Sequence, residues 1–395
     1  MEAKGRMRVL HLSDRLSARG GADRHLLAML GRLQGRVETL WAMGRDDRSL
    51  PSDERAGLGP WQRVKGLDRQ GLRGRGGQAA LGRLAALLAE FRPQVIHLHN
   101  IMDPELLALA AGAAGAVMTV QDHRLFCPGR GKLRPDGGVC GRPMGDHCLA
   151  CFGDQEYGAR LLALTRRRLA ATRGLARLTV LSNYMAGELA AAGVAAERVR
   201  VLPPWPQGLA AEAAGPGAYH LLAGRLVGRK GVRVALAALE RLERPLPLIV
   251  AGDGPLAQEL AATTAAREGR LRLVGWADRA RMGRLLAGAV SLWLPSLWAE
   301  PFGLVGVEAL FCGTPVLAAA VGGVGEWLLE GRHGRLLPPG DAAALAQAAD
   351  ELAADPARAR EMGRAGRQWV QRHLDPEVLT RRLLEVYQKV AGGAA

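Results

Sequence analysis

Short apolar runs rich in β-branched residues alternate with amphipathic stretches of helical spacing, and the alternation passes along the chain twice. In the first half the strand-like runs are 7–13 (MRVLHLS), 37–42 (VETLWA), 94–99 (QVIHLH), 116–120 (AVMTV), 177–182 (RLTVLS) and 198–203 (RVRVLP), with amphipathic segments at 22–33 and 78–91 among those between them. After an interruption at 203–217 (PPWPQGLAAEAAGPG) the rhythm restarts at 218–224, 247–252, 271–275, 290–295, 315–319 and 334–339. Apolar runs separated by helix-length segments predict parallel sheets with crossover helices on their faces. The fold class is therefore α/β, with two Rossmann-like doubly wound domains. The expected boundaries are 1–203, with a cysteine-bearing insertion at 123–155; a linker at 204–217; a second domain at 218–375; and a C-terminal helix at 376–395. A length of 395 residues suits two domains of roughly 150–200 residues each. Residues 44–76, polar and rich in Gly and Arg, are expected to form a long mobile loop.

The net charge of +15 is unevenly placed. Residues 1–200 carry 31 Lys and Arg against 19 Asp and Glu, a net of +12, whereas the remainder carries 22 against 19, a net of +3. A basic first half suits phosphorylated substrates or an anionic membrane surface. The arginines are scattered and no aromatics interleave with them, which argues against nucleic acid. The first residues run straight into a strand with no apolar leader, and the uncharged stretch 106–121 is too short to span a bilayer. A cytoplasmic protein, peripheral at the inner membrane face at most, is expected.

Ligands of doubly wound sheets bind beyond the strand C-termini, so the exit loops carry the functional expectations. After the run at 290–295 comes PSLWAEPFG, then a helix starting near Phe302 or Gly303. The amides of Phe302, Gly303 and Leu304 would form an anion site at that helix start. Glu308 sits inside the apolar helix and needs a donor partner, such as the paired hydroxyls of a ribose. Glu300, ahead of the helix, can reach hydroxyls nearer the anion. A second loop, GRLVGRKG (224–231), places Arg225 and Lys230 where two cations can hold one pyrophosphate. A third, SARGGADRHL (17–26), offers Gly20 and Gly21 for close backbone approach, but lacks the glycine spacing of a dinucleotide fold. Taken singly, the basic loop reads as solvated surface and the glycine turn as an ordinary turn, whereas the apolar flanks of Glu308 argue against a solvated carboxylate.

Together they resemble the retaining GT-B glycosyltransferases of family 4, and the resemblance spans nearly the whole chain. GRLVGRKG, VAGDGPL (250–256), VGWAD (274–278), PSLWAEPFGLVGVEALFCGTPVLA and GGVGEWLLEGRHGRLLPPGD (322–341) follow one another in the family's order. The resemblance implies a nucleotide-diphosphate sugar held by the second domain and an acceptor met by the first, with the C-terminal helix returning to the first domain. It implies that Arg225 and Lys230 hold the diphosphate and that Glu308 binds the ribose. Glu300 and the amides of Phe302, Gly303 and Leu304 would take the donor sugar and distal phosphate, and the backbone near Gly275 and Trp276 the base. It also implies sugar transfer with retention and no cofactor for catalysis. The acceptor is left open as a glycan, a lipid-linked molecule or a small molecule. An epimerase, a phosphorylase and a non-catalytic nucleotide-sugar-binding homologue are the alternatives. Many family members carry His-Asp after the fourth N-terminal strand; here the residues are Gln121 and Asp122, and His123 follows. Gln121 cannot act as a general base but can bond a donor hydroxyl. His99, at a strand exit, and His123 are the acceptor-side candidates, whereas His97 is assigned to structure.

Four of the five cysteines, Cys127, Cys140, Cys148 and Cys151, fall in the insertion with spacing C-x12-C-x7-C-x2-C. Such a set suits structural zinc, with free thiols or disulfides as the other readings. Cys312 is expected to be a core thiol.

Overall fold

The computed structural model describes residues 6–71, 77–209 and 217–393. The chain divides into two compact units. One comprises Met1–Gly131, Gly141–Pro203 and Pro376–Ala395; the other comprises Lys132–Cys140 and Pro204–Asp375. The C-terminal helix, Pro376–Ala391, thus belongs with the N-terminal strands, as the resemblance implies. The middle of the expected linker, 210–216, lies outside the described residues.

The first unit holds strands β1 (Arg8–Leu16), β2 (Glu38–Asp46), β3 (Trp61–Arg63), β4 (Val95–His99), β5 (Gly115–Val120), β6 (Arg177–Val180) and β7 (Val199–Val201). They form one parallel sheet in the order β3-β2-β1-β4-β5-β6-β7. The second holds β8 (His220–Ala223), β9 (Leu248–Ala251), β10 (Leu271–Gly275), β11 (Ser291–Leu294), β12 (Val316–Ala319) and β13 (Gly334–Leu337), parallel in the order β10-β9-β8-β11-β12-β13. Each sheet winds outward in both directions from its first strand, the doubly wound order. β8, β11 and β12 are buried along their whole length because helices cover both faces.

In the first sheet the two faces differ in chemistry. Leu10, Leu12, Ile96, Leu98, Met118 and Val120 pack into one apolar cluster with no measurable exposure. Each such side chain contributes about 1.5–3 kcal/mol of burial. The alternate positions put His11, Ser13, His97, His99, Thr119 and Thr179 on the other face, also buried. There polar groups bond to one another: Trp41 Nε1 donates to Ser13 Oγ at 2.9 Å, and Thr119 Oγ1 lies 2.8 Å from Thr179 Oγ1.

The long mobile loop expected at 44–76 is not what forms over its described part. β2 continues to Asp46, a helix spans Ser52–Ala56, and β3 adds a parallel edge to the sheet. The polar composition hid the anchors: Leu50, Leu58, Val64 and Leu67 are all buried. Residues 72–76 of that expectation lie outside the described residues. Among the described residues no helix is long and apolar enough to cross a membrane.

Candidate functional site

In the second unit the winding direction changes between β8 and β11, which pair side by side. The loops leaving these two strands carry the residues singled out from the sequence. Beyond β8 the chain runs through Gly224 to a 3-10 turn, Gly228–Lys230, and then the helix Val232–Leu239. Gly231 joins turn to helix at φ +70°, and a Cβ there would stand 1.7 Å from Pro295 O in the β11 exit loop. The amide of Leu297 donates to Arg229 O at 2.9 Å, so the two loops are held together by their backbones. Gly231→Ala is expected to cost about 3 kcal/mol, from backbone strain and the displaced neighbour. A denaturant melt showing no loss would contradict this packing.

The contact between the loops places Lys230 Nζ 2.6 Å from Glu300 Oε1. Ser296 Oγ donates to the same oxygen at 2.5 Å and Trp298 Nε1 at 2.9 Å. Three donors thus converge on Oε1, and Oε2 has no protein partner among the described residues. The Trp298 ring also lies under two cations, with Arg229 4.6 Å and Lys230 5.3 Å from its centroid. Burial would raise the Glu300 pKa, but the charge of Lys230 and these hydrogen bonds outweigh it, and the carboxyl titrates below its ordinary 4.5. A depressed carboxyl contributes stability above its unfolded pKa and loses it as pH falls through the folded value. Glu300 is therefore expected to stay ionised from neutrality to about pH 5. The acid loss of melting temperature that the native chain shows and Glu300→Gln lacks should lie below about pH 5; a difference between the two with a midpoint near pH 6 would contradict a depressed Glu300.

Gly322 holds Glu300 from behind. At φ +57°, its missing Cβ leaves room for Glu300 O, 2.1 Å away, and the Gly323 amide donates to that oxygen at 2.8 Å. The following helix is Leu304–Phe311, one residue later than expected, with Gly303 at its N-cap in the left-handed region. Trp327, fully buried, donates from Nε1 to Phe302 O at 2.6 Å and so fixes the approach to the helix. Phe302 and Gly303 are buried and Leu304 is half-buried. Glu308 is buried, and its Oε1 accepts from Arg279 NH1 at 2.7 Å. Arg279 also donates from Nε to Gln207 O at 2.9 Å. Arg225 is exposed, with no side-chain hydrogen bond or ion pair among the described residues. Gly275 and Trp276 are exposed, Trp276 at 43 %.

Sequence reasoning missed Ser296, Trp298, Arg279 and Gly322. Trp298 and Ser296 flank Glu300 in the quoted loop and could have been read as its donors. Arg279 lies 29 positions from Glu308, and no local spacing signals the pair.

In the first unit Gly20 caps the helix Gly21–Leu33, with Gly21 exposed. A Cβ on Gly20 would meet Asp23 Oδ2 at 2.6 Å, and that carboxylate is paired with Arg15 at 2.8 Å. Gln121, at the exit of β5, is only 5 % exposed, and both its amide atoms lack a partner among the described residues. Next to it Arg124 bonds Asp122 at 2.8 Å and Asn100 Oδ1 at 3.1 Å. Asp14, unnoticed in the sequence, sits half-buried at the end of β1. Burial pushes its carboxyl up to about 6 against the pull of Arg124 and Arg15. His123 is buried, with Nε2 3.0 Å from Tyr184 OH. His99 is also buried and lies with His97 in the sheet face, its Nε2 3.1 Å from His11 Nδ1. The two histidines given different roles by position share one environment.

Cys127, Cys140, Cys148 and Cys151 are each half-buried. A Cβ on Gly129 would touch both Cys151 Cβ, at 3.7 Å, and Cys127 Sγ, at 3.9 Å. Cys148 Sγ lies 3.7 Å from His147 Nε2. Cys312 is buried as expected, and its thiol is pushed up to about 12, chiefly by burial.

Two family models match in succession: "Glycosyltransferase Family 4" over residues 19–205 and "Glycosyl transferases group 1" over 212–369. Glycogen synthase of Mycobacterium tuberculosis is 37% identical over 221 residues, covering 54% of this chain and 49% of that protein. Phosphatidyl-myo-inositol mannosyltransferase of Mycolicibacterium smegmatis is 34% identical over 168 residues, covering 42% and 43%. The chain spans about half the length of the curated relatives it matches. Among solved structures, HepE of Anabaena in complex with UDP-glucose superposes with a TM-score of 0.74 at 20% identity, over 97% of this chain and 100% of that one. Sucrose-phosphate synthase of Thermosynechococcus elongatus gives 0.71 at 20% identity, over 98% and 100%.

Proposed function

We propose, since the chain belongs to the family 4 glycosyltransferases of the GT-B fold, that it moves a sugar from a nucleotide-diphosphate donor to an acceptor hydroxyl with retention of configuration. The observation that carries this is the Lys230–Glu300 pair at the point where the second sheet changes winding direction. As the anomeric carbon–oxygen bond breaks, negative charge grows on the diphosphate. Arg225, Lys230 and the amide end of the helix Leu304–Phe311 neutralise that charge, which is where a preorganised site lowers a barrier most. The acceptor oxygen forms the new bond from the same face, and its proton passes to the departing phosphate. Glu308 takes the ribose hydroxyls, Glu300 the donor sugar, and the backbone at Gly275 and Trp276 the base. Chain cations and the helix end stand in this scheme where other transferases use a divalent ion.

The structural neighbour HepE has been solved with UDP and with UDP-glucose, which makes a uridine donor the first to test. A thermal-shift panel of nucleotide sugars is the experiment. At a hundredfold excess over Kd, about 2.7 kcal/mol of added stability is expected for the right donor. No shift from any of them would remove the donor site. Gln121 in the place of the family's histidine favours one other reading, a binding homologue without catalysis. Slow hydrolysis of the donor without acceptor would reject that reading.

The cysteine loop as a structural zinc site is a proposal with its own test. Its support is the approach of Cys127 and Cys151 to one glycine. Zinc content should fall in the Cys148→Ser/Cys151→Ser variant. Cytoplasmic location with peripheral contact to anionic lipid is likewise proposed, on the charge excess of residues 1–200. Co-sedimentation with phosphatidylglycerol but not with phosphatidylcholine vesicles would support it.

A further inference from the structure

We propose that His11, His97 and His99 form a binding site for a borderline transition-metal ion of the zinc class, separate from the sugar-transfer site. His97 and His99 stand two apart on β4 and therefore project from the same face. His11 is the direct register partner of His97 on the neighbouring β1. One ring nitrogen from each of the three lies within 4.8 Å of the others, and among the described residues this is the one such group of three or more His, Cys, Asp or Glu. A His-x-His pair on one strand with a third imidazole from its neighbour is a three-nitrogen donor set that zinc accepts.

The spacing is close to what an ion requires. His11 Nδ1 and His99 Nε2 are 3.1 Å apart. Two nitrogens on a tetrahedral zinc, each at about 2.0–2.1 Å, are about 3.3 Å apart, so an ion can replace the shared proton with little movement. Metal ligation also needs neutral imidazoles. All three rings are buried, and burial disfavours the charged imidazolium.

The surroundings fix the third ring. His97 Nδ1 lies 2.6 Å from Tyr387 OH and Nε2 2.7 Å from Thr119 Oγ1. One hydroxyl can keep orienting the ring through the nitrogen that does not ligate, the usual arrangement around a metal-bound histidine. The other gives up its place to the ion and leaves its oxygen beside it as a fourth donor. Among the described residues His11 Nε2 and His99 Nδ1 have no partner. Because Tyr387 belongs to the C-terminal helix, a bound ion would tie that helix to β1 and β4.

The test uses the full chain carrying Cys148→Ser/Cys151→Ser, stripped with chelator and titrated with Co²⁺. The expected result is about one cobalt per chain, with visible ligand-field bands, no thiolate charge-transfer band, and a melting temperature about 5 °C higher. Adding His99→Gln should abolish the bands. If that variant does not fold, X-ray absorption of the zinc-loaded cysteine variant decides instead: a shell of nitrogen and oxygen alone supports the site. Overturning results are a folded protein that binds no cobalt at tenfold excess, or cobalt bands that survive His99→Gln.

Discussion

Lys230→Ala is expected to lower turnover about 10³-fold, the scale seen when a single preorganised donor to developing negative charge is removed. The same change takes the partner from Glu300, whose side chain is 4% exposed. Breaking a buried pair on one side costs about 3–5 kcal/mol, because the remaining charge is left without compensation. Activity and stability should therefore fall together, and the two losses must be separated. Lys230→Ala/Glu300→Gln removes the orphaned charge, so it should recover most of the melting temperature and none of the turnover. Recovery of both would mean that Lys230 acts only as a structural partner. Full turnover in Lys230→Ala would remove it from the mechanism.

Glu308→Ala is expected to weaken binding of the free nucleotide diphosphate about 100-fold, the loss of two hydrogen bonds to a charged acceptor at about 1.5 kcal/mol each. Arg279 loses its carboxylate partner in that variant, so part of the effect will appear as stability. Glu308→Gln keeps the shape and one acceptor and should fall between. Glu300→Gln should spare the free nucleotide and weaken the sugar-bearing donor if, as proposed, Glu300 meets the sugar and Glu308 the ribose. Calorimetric titration of each variant with both ligands measures the difference. Equal losses on both ligands would reject this division between the two glutamates.

Most of the fold was legible because the chain repeats one strong pattern. Twelve of the observed strands, β1, β2 and β4 to β13, lie at runs read from apolar periodicity. β3 was not legible: Trp61–Arg63 is three residues long, and the apolar anchors around it are spread through a Gly- and Arg-rich segment. Within the site, the loops were legible because each follows a recognisable strand and carries Gly and charge together. Their partnerships were not. The meeting of Lys230 with Glu300 joins residues 70 apart, and that of Arg279 with Glu308 depends on how the helix Arg279–Ala287 packs. The histidines show the limit most plainly. Alternation put His97 and His99 on one side of a strand, but only the sheet register brings His11 beside them, and all three are buried.

The central claim is that the second unit neutralises a leaving diphosphate with Arg225, Lys230 and the start of the helix Leu304–Phe311. A crystal structure with the donor selected by thermal shift tests it most directly. Diphosphate oxygens about 2.7–3.2 Å from Lys230 Nζ and the Arg225 guanidinium, with the ribose on Glu308, are the predicted result. A diphosphate bound elsewhere, with Lys230 still closed on Glu300 alone, would contradict it.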